Sequence, residues 1–268
     1  MNNKDHTDFH VAENLRLGDT VRVAFFDFDG TLSLLRDGWQ QVMFDMMVDA
    51  LRQTPGFEGE AQAKEIIQDI IWRLTGRPTI EQMRELVNWI VRWGGNPRPA
   101  DYYKDLFHHR LDQHIRQRID RIHSNPASAD DFLVPGVRLL LCELQKLNIT
   151  CYLASGGEHL RVVEEVALLG LADFFDGRVQ GVRNDSERPP KVQVLERLTK
   201  DGIIDGRSFW GFGDSTDDMA TIKSFQGTAI GIANGAEWRE RLFQAGADIV
   251  IPDYSNLDVL AAFFQRQF

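Results

Sequence analysis

The chain has 268 residues, 43% hydrophobic and 26% charged, a soluble globular composition with room for one large or two smaller domains. Its formal net charge of −10 argues against a nucleic-acid partner, which calls for a basic face, although a local cation can still receive an anionic substrate. Two cysteines without a Cys-x-x-Cys pair, no apolar leader and no run of membrane-span length point away from zinc, disulfide frameworks and membranes, and suit a cytoplasmic location.

Residues 1–18 are polar and read as a frayed extension, with His6 and His10 solvated. Residues 21–26, apolar apart from Arg22, read as a short buried strand. It ends in Asp27 and Asp29, spaced i, i+2, with Gly30 directly after. Two acids there are costly unless a cation or a reacting group uses them. The carboxyl ends of strands are where open α/β sheets bind ligands. The plainer alternative is a strand running into an Asp-Gly turn.

Residues 34–132 carry apolar positions at helical spacing: Met43, Met46, Met47 and Leu51, then Ile67, Ile70, Ile71 and Leu74, then Met83, Leu86 and Ile90, then Leu106, Leu111, Ile115 and Ile119. Breaks fall at Thr54-Pro55-Gly56, Gly76-Arg77-Pro78 and Gly94-Gly95-Asn96-Pro97. Trp72, Trp89 and Trp93 follow the same spacing and read as core of this block, and residues 124–131 read as a linker. Strands are then expected over 150–154, 178–182, 207–212, 228–232 and 249–251. Helices are expected over 136–147, 158–169, 191–200, 215–225, 236–245 and 256–264. Such alternation specifies an α/β fold: a parallel sheet with helices on both faces. The sheet domain therefore comprises 1–33 and 133–268, interrupted by an all-helical domain over 34–132. Cys142 and Cys151 both sit in apolar context and read as buried free thiols.

Three later segments carry chemistry. Ser155-Gly156-Gly157 closes a strand and offers a hydroxyl and backbone N–H groups to an anion at a helix start, or an ordinary N-cap. Lys191 opens a helix, where the dipole disfavours a cation, so an anionic neighbour is expected. The strand over 207–212 ends in Gly213-Asp214, with Asp217 and Asp218 in the next helical turn. Hard oxygen ligands suit Mg²⁺; acids in a first turn also favour the helix dipole.

The run Asp27-Phe28-Asp29-Gly30-Thr31, then Ser155, Lys191 and Gly213-Asp214-Ser215-Thr216-Asp217-Asp218, resembles in order the four motifs of the haloacid dehalogenase-like (HAD) superfamily. The helical insertion after the first strand resembles the type-1 cap of that superfamily, on a Rossmann-like core. The layout covers about 21–265, but the specific signal lies in the four motifs. The resemblance implies Asp27 as nucleophile and Asp29 as general acid and base. It implies Ser155, Gly156 and Lys191 around a phosphoryl group. Mg²⁺ would be held by Asp27, the backbone carbonyl of Asp29 and Asp214, with Asp218 behind the metal or Lys191 and Asp217 as outer support. The implied activity is Mg²⁺-dependent hydrolysis of a small phosphomonoester, a sugar phosphate being one candidate, through an aspartyl-phosphate.

Within the superfamily, Asp29 and Asp214 argue against dehalogenases, and Asp29 against phosphonate-cleaving relatives. A β-phosphoglucomutase-like mutase keeps all four motifs, and residues 74–79 resemble its specificity loop. A non-catalytic phosphate binder is expected to lose a motif residue, and none is lost. Arg36, Trp39 and Arg77 are candidate substrate contacts, with hinge packing or a surface position as alternatives. Glu158 and His159 follow the phosphate loop; His159 reads more simply as a helix-start surface residue. The expected partner is a small phosphate ester, with neither nucleic acid nor membrane, and the chain a monomer or homodimer. Hinges are expected near 33–36 and 127–133.

Overall fold

In the computed structural model, which describes residues 10–11, 21–184 and 188–256, the first apolar run becomes the centre of a sheet. β1 (His10–Val11) and β2 (Val23–Phe26) precede four helices: α1 (Trp39–Leu51), α2 (Glu60–Leu74), α3 (Thr79–Arg92) and α4 (Ala100–Ser124). A 3₁₀ segment, Pro126–Phe132, follows where a plain linker is expected. The chain continues through α5 (Val137–Lys146), β3 (Thr150–Glu158), α6 (His159–Leu168), α7 (Ala172–Phe175), β4 (Val179–Val182), α8 (Pro190–Lys200) and β5 (Phe209–Gly213). It closes with α9 (Thr216–Ser224), β6 (Thr228–Ile232), α10 (Ala236–Gln244) and β7 (Ile249–Ile251). The helix expected over 256–264 lies outside the described residues, except for its first position.

The sheet order is β1-β7-β6-β5-β2-β3-β4, and β2 to β7 run parallel, as strand–helix alternation demands. β1 corrects the expectation of a frayed start: His10 pairs antiparallel with Val250, and Val11 with Ile249. Two residues carry no readable periodicity; the pairing comes from the open edge of β7, whose backbone groups need partners.

All four residues of β2 are buried, so its apolar run shows no polar alternation. The alternation is between two cores instead. Ala24 and Phe26 join residues of α5, α6 and α7, whereas Val23 and Phe25 join residues of α8, α9 and α10. Phe26 stacks on Phe212 of β5, with centroids 4.6 Å apart. Gly211, opposite Phe25 on the other face, lets α9 approach: a Cβ there would lie 2.4 Å from Ile222 Cγ1.

Helices α1 to α4 bury their stripes against one another in a separate cluster that includes Met43, Met47, Ile67, Ile70, Met83 and Leu86. Trp72 departs from the expected core position. It is 47% exposed, because Ile67, Ile70, Ile71 and Leu74 already fill the inner face of α2. Its ring lies 5.1 Å from that of Trp238 on α10, with Arg241 over both. Cys142 is also exposed, since α5 turns Leu140, Leu141 and Leu144 to the sheet. Cys151 is buried, which pushes its thiol up to about 12. The two chain crossings between sheet and helical block lie side by side: Ser33 bridges antiparallel to Leu133, and the Leu34 N–H donates to the Phe132 carbonyl at 2.8 Å. Among the described residues no helix is long and apolar enough to cross a membrane.

Candidate active site

Parallel pairing brings three strand ends to one place. Phe26 lies opposite Leu153 on one side and Phe212 on the other. Asp27, Ser155 and Asp214 therefore emerge one or two residues beyond a common level. β2 is flanked by β3 and β5, so chain connections leave it in both directions, the kind of switch point where open sheets take ligands.

Asp27 continues the alternation of Val23 and Phe25 toward α8 and α9. It is buried, and Lys191 Nζ lies 2.7 Å from its Oδ1. Lys191 also donates to Asp218 and, at 3.3 Å, to the Gly76 carbonyl. Burial alone would lower the proton affinity of Lys191, but the Asp218 and Asp27 carboxylates raise it above the ordinary lysine value. A cation at the start of α8 costs about 0.3–1 kcal/mol against the dipole; contact with two buried carboxylates outweighs that.

Asp218 is engaged on both oxygens. Besides Lys191, it accepts from the Ser215 N–H at 3.1 Å and the Ser215 hydroxyl at 2.5 Å. The Asp218 N–H returns a bond to Ser215 Oγ at 3.1 Å, completing a capping box at the start of α9. Asp214 sits against Gly30, where a Cβ would fall 2.0 Å from Asp214 Oδ2. The Asp214 carbonyl accepts from Trp238 Nε1 at 2.8 Å, which fixes the turn.

Carboxylate oxygens of Asp27, Asp214 and Asp218 all lie within 4.8 Å of one another. Three acids thus share one ammonium. Burial, opposed by Lys191, lifts Asp27 to about 7. Burial, then Asp27 and Asp218, holds Asp214 well above the usual carboxylate range. A hard divalent cation relieves this kind of excess. With Asp218 fully engaged, Asp214 and the outer oxygen of Asp27, whose nearest donor is the Thr31 hydroxyl at 3.5 Å, are the groups left to hold it.

Asp29 accepts from Arg36 Nη1 at 3.2 Å, while its Oδ1 is buried without a partner. Arg36 is spanned between two acids: its Nε and Nη2 donate to Glu165 Oε1 at 3.0 and 2.9 Å. Burial raises the proton affinity of Glu165. Sequence reasoning missed Glu165, although an acid between Val162 and Val166 on the inner face of α6 is a visible anomaly.

The Ser155 segment differs from the expected helix N-terminus. β3 runs to Glu158 with an irregular register after Ala154, and α6 starts at His159. Extended pairing with β4 is a long-range contact that local spacing does not encode. Ser155 is buried, and its hydroxyl accepts from the Gly157 N–H at 3.0 Å. Gly156 passes under the loop from α2 to α3, so a Cβ there would lie 2.6 Å from the Arg77 carbonyl.

A cavity of about 80 Å³ lies over Asp27, Asp29, Ser155 and Asp214. The helical block supplies its far walls, with Trp39, Met43, Leu74, Gln82 and Phe107 among them. Trp39 thus borders the cavity. Arg77 borders the cavity but is 46% exposed, and its Nε donates to Asp217 at 3.0 Å, tying that loop to α9. Glu158 is exposed and 3.3 Å from Arg161, and His159 lies 2.6 Å from Arg183.

A sequence model of the haloacid dehalogenase-like hydrolases matches residues 21–226. The chain is 21% identical over 238 residues to a phosphoglycolate phosphatase of Photorhabdus laumondii, covering 88% of this chain and 91% of that protein. Its fold is similar to that of a β-phosphoglucomutase from Clostridium difficile, with a TM-score of 0.64, 16% identity, and 92% and 97% of the two chains covered. It is likewise similar to a predicted phosphoglycolate phosphatase from Haemophilus somnus, with a TM-score of 0.62, 16% identity, and 90% and 98% covered.

Proposed function

Because the chain belongs to the haloacid dehalogenase-like hydrolases, we propose that it is a Mg²⁺-dependent phosphatase of a small phosphomonoester. The observation that carries this reading is the buried junction in which Lys191 bridges Asp27 and Asp218 while Asp214 adds a third acid. A lone phosphate-binding pocket needs no such surplus of negative charge beside its cation. The fold likeness to a β-phosphoglucomutase favours a phosphosugar mutase as the second reading.

In the proposed reaction the Asp27 carboxylate attacks phosphorus and the ester P–O bond breaks. Asp29 gives its proton to the leaving alkoxide. It then takes a proton from the water that attacks the aspartyl-phosphate, and inorganic phosphate leaves with Asp27 restored. Lys191, the Ser155 hydroxyl and the backbone of Gly156 hold the phosphoryl oxygens. Asp27, the Asp29 carbonyl and Asp214 would hold Mg²⁺, which when bound offsets phosphoryl charge and favours the ionised Asp27. Asp218 keeps Lys191 in place, and Asp217 supports the first turn of α9 and anchors Arg77.

Residues 1–33 and 133–268 serve as the catalytic core and 34–132 as a cap that excludes water and bulky phosphoproteins. The two free cysteines suit a reducing compartment such as the cytoplasm. The test is phosphate release from a panel of small phosphate esters, with and without Mg²⁺. Release should require the metal and fall on the order of 10⁴-fold or more in Asp27→Asn. Phosphoryl transfer between sugar phosphates without net release would instead establish the mutase.

A further inference from the structure

Gln82 stands out on the inner face of α3. Its neighbours on that face are Ile80, Met83 and Leu86, and it is only 3% exposed. It lines the cavity over Asp27, yet its carboxamide makes no hydrogen bond to any described residue. A buried amide in apolar surroundings is costly unless something completes it. The polar groups on the same walls are turned elsewhere: the Thr75 hydroxyl donates to the Ile71 carbonyl and the Ser155 hydroxyl accepts from the Gly157 N–H.

The charged groups of the cavity point the same way. Arg36 and Arg77 are the cations that border it among the described residues. Arg36 is taken by Asp29 and Glu165, and Arg77 by Asp217 and Glu81. Lys191 is taken by Asp27 and Asp218, at the place of the phosphoryl group. A carboxylate or second phosphate on the leaving group would enter beside Asp27, Asp29 and Asp214 and find no unpaired cation. A hydroxyl or carbonyl meets a carboxamide that can both donate and accept.

We infer that Gln82 is a specificity-determining residue that reads the leaving group, and that this group is an uncharged alcohol bearing a further hydroxyl or carbonyl. This rests on the phosphatase reading above. It separates the chain from enzymes whose substrates carry a second anionic group.

The experiment compares kcat/KM for glycerol phosphate, phenyl phosphate and phosphoglycolate in the wild type, Gln82→Leu and Gln82→Met, the second variant standing in should the first fail to fold. The wild type should favour glycerol phosphate over phosphoglycolate by about tenfold or more. Each variant should lower the ratio of glycerol phosphate to phenyl phosphate by about tenfold, the loss of one completed hydrogen bond. Unchanged ratios, or a wild type that prefers phosphoglycolate, overturn the assignment. If the wild type hydrolyses none of the three, the phosphatase reading falls, and calorimetric binding to Asp27→Asn decides Gln82 separately. A preference for glycerol phosphate over phenyl phosphate that disappears in Asp27→Asn/Gln82→Leu upholds it; no preference overturns it.

Discussion

Gly30 carries the tightest steric constraint at the site. Its φ is +77°, and an added Cβ would lie 2.0 Å from Asp214 Oδ2. Alanine there adds backbone strain of about 1–2 kcal/mol and pushes the Asp214 carboxylate off its seat. Gly30→Ala should lower kcat at saturating Mg²⁺ by about a hundredfold while the far-UV spectrum stays native; full activity would remove the close approach as a functional constraint. His108 gives a prediction of another kind. Its side chain is 13% exposed, and burial, then Arg161 and Arg36, lower its pKa to about 4, with Lys104 adding and Glu158 opposing. An ordinary histidine titrates near 6.5. The folded state therefore favours the neutral ring. That contribution is complete above pH 6.5 and is lost as pH falls toward 4, with an upper size on the order of 2–3 kcal/mol. Urea unfolding at pH 8 and pH 5 should show the wild type losing more stability than His108→Gln; parallel losses would refute the assignment.

Among the elements, four of the contacts between the helical block and the sheet domain bear comparison. They are Trp72 on Trp238, Arg77 to Asp217, Arg161 to Asp112, and Lys191 to the Gly76 carbonyl. The exposed Arg77 pair is worth about 0–1 kcal/mol and is screened by salt. The aromatic pair is worth about 0.5–1.5 kcal/mol beyond its buried area. A double-mutant cycle on Trp72→Ala and Trp238→Ala should give a coupling of about 1 kcal/mol that survives 1 M salt. The Arg77→Ala and Asp217→Ala cycle should give less, and lose it there. Trp72 and Trp238 are 166 positions apart, so no spacing rule pairs them. The helices and parallel strands were legible because their periods of 3.6 and 2 are local. β1 and the extension of β3 through Glu158 were not, because each depends on a neighbouring strand.

At the scale of the molecule, the cluster of Asp27, Asp214 and Asp218 concentrates negative charge inside a chain already at −10. An ion that binds only the folded state stabilises it by mass action, about 2.7 kcal/mol at a hundredfold excess over Kd. For a chain of this size that raises Tm by several degrees. Thermal unfolding should move up with Mg²⁺ in the wild type, move back with chelator, and respond little in Asp214→Asn. Equal shifts in both proteins would place the ion elsewhere.

The sequence by itself determined the α/β layout, the helical insertion and the acids at the two strand ends. Those follow from local periodicity and from the cost of carboxylates where a buried strand stops. Lys191 was legible as a cation in need of anions, but not which anions. Tertiary structure alone decided that Asp27 and Asp218 take up its charge, that Arg36 is shared by Asp29 and Glu165, and that Gln82 lines the cavity over Asp27 without a hydrogen bond. Each of these depends on side chains brought together from distant elements, and only the packed fold sets those distances.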